Sequence, residues 1–202
     1  MKSELLNQSA SSHLSAIIRW LKRWAEQPIC RLWAVGIVTI ALMGGLLGCQ
    51  TTLPPQGFEA QVAEVVSGQT LEVTGGSGQT EVTERVRLIG IEAPDLKQDP
   101  WGEQAKAQLA KLIGDRPVLL EADVEVREPN GRRLAYVWQN GILLNEKLVA
   151  SGYVLASPRP PNQKYDRRLS RAQDQARILE LGIWNPKQPL TIAPSDFRRQ
   201  SR

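Results

Sequence analysis

Between residues 61 and 138, no alternating apolar run goes far before glycine or proline stops it. Gln61–Val66 and Thr70–Thr74 alternate in part around Ser67-Gly68-Gln69, a tight-turn composition. Gly75–Gly78 reads as a loop. In Glu81–Ile91 (EVTERVRLIGI), Val82, Val86 and Leu88 alternate with polar residues, as in a strand with one face buried. Ala93-Pro94 ends that run, because proline restricts the residue before it and cannot continue a ladder. Pro117–Val126 and Arg133–Trp138 are two further strands around the turn Pro129-Asn130-Gly131.

Helical signals fall between and after these strands. Asp99-Pro100 looks like a helix start, with Asp99 as N-cap, and Ala105, Leu109, Leu112 and Ile113 follow at helical spacing before Gly114. Leu144–Ala150 reads as a short helix ended by Ser151-Gly152. After the stiff loop Pro158–Pro161, a long helix over 162–181 carries Tyr165, Leu169, Ala172, Ala176 and Leu179 inward, with Gly182 as its cap. Five short strands, one inserted helix and helices behind them suit an α+β domain: a five-stranded OB-type β-barrel with about three helices.

Composition then narrows the chemistry. The one histidine, His13, lies ahead of the predicted domain, which excludes Ser-His-Asp, Cys-His and H-E-x-x-H catalysis. The two cysteines, Cys30 and Cys49, stand in the first quarter, so a disulfide framework and a four-thiolate zinc site are excluded as well. Carboxylates, guanidinium groups, hydroxyls and a hard cation remain. The net charge of +4 is local: residues 164–202 carry nine basic against four acidic side chains, while residues 50–163 are net acidic. A high pI here is no nucleic-acid footprint in itself.

The first 48 residues read as an apolar signal or anchor helix. Leu32–Gly48 is a run of 17 uncharged residues behind a basic flank, and it ends in Leu46-Leu47-Gly48-Cys49. That ending resembles the lipobox of bacterial lipoproteins, which implies lipid attachment at Cys49. An uncleaved single-pass anchor is the alternative. Either way, the rest of the chain is expected outside the cytoplasm, tied to a membrane. The predicted organisation is a signal/anchor segment (1–48), a tether (49–58), an OB-type domain (59–187) and a basic tail (188–202).

The domain resembles the staphylococcal-nuclease (thermonuclease) family. The resemblance rests on Val66–Leu71 (VSGQTL), Arg87–Asp95 (RLIGIEAPD), Gly131–Tyr136 (GRRLAY), Leu144–Val149 (LNEKLV) and Gly182–Trp184 (GIW), in that order. It implies a calcium-dependent phosphodiesterase acting on DNA and RNA, with nucleic acid as substrate. By motif match, Arg87 and Arg132 take the family's phosphate-clamping places, with Arg87 on the exposed face of the third strand. Asp95 falls where the family has the acid that activates or orients water. Glu92 falls on a metal ligand, Ala93 on a residue that gives the metal its backbone carbonyl, and Gln69 where an aspartate ligand is usual. Arginine suits phosphate, because its planar fork binds two oxygens and stays charged.

The chain departs from the family pattern at several points. Gln69 brings no charge to a calcium site, and charge count controls affinity. Glu92 is one methylene longer and Asp95 one shorter than usual, and a shift of about 1 Å in a catalytic group can cost ~100-fold in rate. Asn130 replaces a tyrosine, and the nucleotide-stacking tyrosines give way to residues around Pro158, Arg159 and Pro160. Without the resemblance, Arg87 reads as the partner of a cross-strand carboxylate such as Glu72 or Glu121. Two functions follow: a membrane-tethered extracytoplasmic nuclease with a weakened metal site, or an inactive nuclease-fold module binding a protein, an envelope component or nucleic acid.

Overall fold

The structure, a computed structural model, describes residues 55–75 and 83–201. His13, Cys30, the run 32–48 and Cys49 lie outside the described residues. The strands are β1 (Phe58–Ser67), β2 (Thr70–Thr74), β3 (Thr83–Leu88), β4 (Ile91–Glu92), β5 (Val118–Glu121), β6 (Arg133–Gln139), β7 (Ile142–Leu143) and β8 (Leu155–Ala156). The helices are α1 (Trp101–Ile113), α2 (Leu144–Ala150), α3 (Asp166–Ile178) and α4 (Pro194–Gln200), with a 3-10 turn at Gly182–Trp184.

The main sheet runs β3-β2-β1-β5-β6-β7, and β3 also pairs with β6 in parallel. Strands β1, β2, β3, β5 and β6 therefore close on themselves, giving the OB-type α+β barrel. At Arg87 the backbone is flanked by Thr70 of β2 and Leu134 of β6. Pairing on both sides fixes the direction in which that side chain leaves the strand.

The barrel is filled by Leu71, Val73, Val86, Leu88 and Val137, against Leu109 of α1, Leu148 of α2 and Leu169 of α3. Asn145 crosses the core: its amide donates to Ile89 O at 2.8 Å and accepts from Val137 N–H at 2.9 Å. Glu121 is also buried, and accepts from Trp138 Nε1 (2.7 Å), Lys164 Nζ (2.6 Å) and Tyr165 OH (3.0 Å). A buried carboxylate needs such partners, because an unpaired one is strongly disfavoured.

Several expected boundaries move. The run Glu81–Ile91 divides into β3 and β4 at Ile89-Gly90, where Gly90 has φ +73°. A Cβ at Gly90 would stand 2.6 Å from Leu169 Cδ1, so the turn needs glycine for its conformation and for its closeness to α3. Strand β5 stops at Glu121 rather than Val126, and Val124 and Val126 are exposed. Helix α1 starts after Pro100 without a side-chain cap, so Asp99 does not cap it.

Helix α3 is shorter than the pattern suggests. Asn162 precedes it, buried, and binds Glu125 N–H (2.7 Å) and Glu125 O (2.8 Å) instead. At the other end Glu180 is left-handed (φ +54°), and Leu181 N–H returns to Ala176 O at 2.9 Å. That Schellman-type stop leaves Leu179 exposed rather than inward, and Gly182 opens the 3-10 turn. A fourth helix, α4, forms within the stretch read as a basic tail.

Candidate active site

The site is built where β3, the β5–β6 connection and the loop after β8 meet. Val86 and Leu88 point into the core, so Arg87 between them faces the other way. It is not on an open face: its side chain is only 14% exposed. The groups around it explain why. Glu128, itself buried, accepts from Arg132 Nε at 2.6 Å and from Arg159 Nη2 at 3.0 Å, with Arg87 Nε 4.0 Å away.

Local sequence places Glu128 under Arg132. In the turn Pro129-Asn130-Gly131, Gly131 N–H bonds Glu128 O and Glu128 N–H bonds Arg132 O, each at 2.8 Å. The tight reversal brings the two side chains together four residues apart. Arg132 also lines a groove of about 460 Å³ with Thr70, Glu84, Arg85 and Asn130. Neighbouring Arg133 and Arg127 do not join the site; both pair with Glu84. The cross-strand reading of Arg87 does not hold, because Glu72 pairs with Arg85 (2.8 Å) and Glu121 with Lys164.

Burial and the Arg132 guanidinium push Arg87 down to about 10, with Glu128 opposing and Arg159 adding to the fall. Arg87 therefore stays charged near neutrality, beside two other guanidinium groups. An anion entering there relieves repulsion as well as forming bonds.

The acids sit beside this cluster. Arg87 Nη2 donates to Ile91 O at 3.4 Å, next to Glu92 on β4. Glu92 itself is paired with Arg198 of α4. Gln69, buried in the β1–β2 turn, accepts from Ala93 N–H at 2.7 Å through Oε1. Its backbone oxygen takes Leu88 N–H at 2.9 Å, so that turn is stitched both to the end of β3 and to the residue after β4. Asp95 stands apart: Oδ1 accepts from Lys97 N–H at 3.0 Å, and no side-chain bond joins it to Arg87 or Arg132 among the described residues.

The structure thus brings Arg87 and Arg132 together, sets Glu92 beside them and couples Gln69 to Ala93. Sequence reading missed Glu128 and Arg198 as neighbours of the site, and it marked Arg159 only as a departure from the family's tyrosines, without its pairing to Glu128. Glu128 had a signal, an acid before a Pro-Asn-Gly-Arg turn. Arg198 had none, since it meets Glu92 across 106 residues.

A family model described as staphylococcal nuclease homologue matches residues 85–186 of this chain. The chain belongs to the staphylococcal nuclease family. A thermonuclease of Staphylococcus intermedius is 36% identical over 134 residues, which cover 64% of this chain and 77% of that protein. A thermonuclease of Staphylococcus hyicus is 32% identical over 62% of this chain and 75% of its own length. Endonuclease YncB of Bacillus subtilis is 29% identical over 59% of this chain and 58% of its own length. The family match stops at Pro186, before α4 begins at Pro194, so Arg198 lies outside the part shared with the nuclease family model.

For a hard divalent cation, the nuclease-family positions offer the Glu92 carboxylate, the Gln69 amide oxygen and the Ala93 carbonyl. All are oxygens, which is the donor type such a cation takes, and Gln69 Oε1 keeps a second lone pair beyond its bond to Ala93. The donors fit in kind but bring a single negative charge. No group of three or more His, Cys, Asp or Glu able to hold a metal exists among the described residues.

Proposed function

We propose that this protein is a membrane-tethered extracytoplasmic nuclease that hydrolyses phosphodiester bonds of DNA or RNA with a divalent metal, at a site of reduced metal affinity. The observation that carries the reading is the convergence of Arg87 and Arg132 on one buried carboxylate, on the barrel of a nuclease family. A phosphodiester docking there would draw both guanidinium forks from Glu128 onto its non-bridging oxygens. The arginines then offset the charge that builds on those oxygens as water attacks phosphorus. Asp95, whose Oδ1 accepts from Lys97 N–H, takes the proton from that water, and solvent water protonates the leaving oxygen as its bond to phosphorus breaks. Calcium, held by Glu92, Gln69 and the Ala93 carbonyl, would supply Lewis-acid polarisation of the phosphate. Membrane attachment is supported by the uncharged apolar run over 32–48 that leads into Cys49.

Reduced metal affinity is supported by the neutral Gln69 and by Arg198 on Glu92, which a cation must displace. The same two features favour the second reading, a nuclease-fold module that binds without cutting. Turnover of single-stranded DNA and RNA by the full chain, with millimolar calcium and with chelator, separates the two. Calcium-dependent cleavage that Arg132→Ala abolishes establishes the enzyme. No cleavage by a folded sample at high protein concentration leaves the binding module. Gln69→Asp is expected to raise calcium affinity measured by titration calorimetry; no gain would remove Gln69 from the metal site.

A further inference from the structure

Glu128 has more cations than it can neutralise. Arg132 places Nε and Nη2 on Oε2 at 2.6 Å each, which satisfies that oxygen. Arg159 and Arg87 then share Oε1 at 3.0 and 4.0 Å. The other nearby carboxylate, Glu92, is matched by Arg198. Counting these six groups leaves an excess of two positive charges. A structural ion pair needs one arginine, and Arg132 already fills that part.

Arg159 is also held in place. It leaves the loop between β8 and α3, where Ser157 N–H bonds Gly90 O at 2.8 Å, next to the end of β3. Asn162 N–H closes on Arg159 O at 2.9 Å, and the Asn162 side chain fastens the loop to Glu125. Pro158, Pro160 and Pro161 restrict the backbone further. Its side chain is 39% exposed, and Glu128 is its one side-chain partner among the described residues. A pre-positioned guanidinium with free donors and surplus charge is suited to a phosphate.

We infer that Arg159 is a third phosphate-binding residue of this site. It exchanges Glu128 for a phosphate of the bound nucleic acid, and so supplies through charge the grip on a single strand that aromatic stacking would otherwise give. The inference rests on the nucleic-acid reading above, but on binding rather than on cleavage.

The test is equilibrium binding of inorganic phosphate and of a fluorescent single-stranded oligonucleotide to the full chain, in chelator, at several salt concentrations. Arg159→Gln is expected to weaken oligonucleotide binding about tenfold, the scale of one charge-assisted hydrogen bond. It should also lower the slope of log affinity against log salt by about 0.7, one phosphate contact on a single strand. Arg159→Lys should restore the slope but not the full affinity, since it keeps the charge and loses the fork. Arg159→Lys also retains a cation for Glu128 should the glutamine variant fold poorly. Unchanged affinity and slope in a variant that melts like the parent would overturn the inference, as would a parent that binds neither probe. A parent that binds both, loses binding on Arg159→Gln and cleaves nothing sustains the inference while the enzyme reading falls.

Discussion

Arg132 sets two nitrogens 2.6 Å from a single oxygen of Glu128, and the other oxygen is left to Arg159 and Arg87. Glu128 therefore acts as an internal stand-in for the anion the site is shaped to receive. Glu128→Gln keeps the shape and removes the charge. Stability should fall by about 1–3 kcal/mol, toward the lower end because Arg132 and Arg159 are partly in water. Phosphate should bind several-fold more tightly, since a competitor is gone. Urea unfolding and phosphate titration read the two effects; weaker phosphate binding would contradict the stand-in role.

The Arg198–Glu92 pair makes a prediction with the opposite logic. Arg198→Ala frees the carboxylate proposed above as a calcium ligand without touching the barrel. Calcium affinity by calorimetry should rise several-fold, and Glu92→Gln should abolish the gain. Equal affinity in parent and Arg198→Ala would show that calcium does not use Glu92.

Helix α1 presses on the loop that carries Asp95. A Cβ at Gly102 would lie 2.1 Å from Asp95 O, so Gly102→Ala must displace that backbone. Overpacking of this kind costs about 1–3 kcal/mol. Because Asp95 moves with the loop, turnover should fall by tenfold or more while oligonucleotide binding in chelator holds. Full turnover in a destabilised Gly102→Ala would take Asp95 out of the chemistry.

Lys164 reports on the buried Glu121. The hydrogen bond to Glu121 raises Lys164 above its ordinary 10.5. A lysine shifted this way contributes its stability in full below about 10.5 and loses it as pH rises through the folded value. The difference in stability between the parent and Lys164→Met should be constant from neutral pH to about 10 and shrink above that. Its size should stay under about 1 kcal/mol, because the side chain is 48% exposed. A difference that grows in alkali would mean the pair is not what holds Glu121.

Local chemistry made much of the fold legible. Leu144–Ala150 forms the helix its sequence announces, with Asn145 turned into the core. The alternation of Val86 and Leu88 placed β3 correctly, because period-two burial is a property of the chain itself. Where expectation failed, a backbone turn or a distant contact had intervened. Leu179 has the helical spacing of a core residue, yet the left-handed Glu180 ends α3 and turns it outward.

Motif and pattern were enough to determine the barrel class and the family, since each depends on residue types at short spacing. Tertiary structure decided the rest: that Glu128 gathers three guanidinium groups, that Arg159 is one of them, and that Arg198 from beyond the family domain reaches Glu92. Charge interactions act through space and fall off with distance, not with separation along the chain, so only closure of the fold could show which carboxylate each arginine meets.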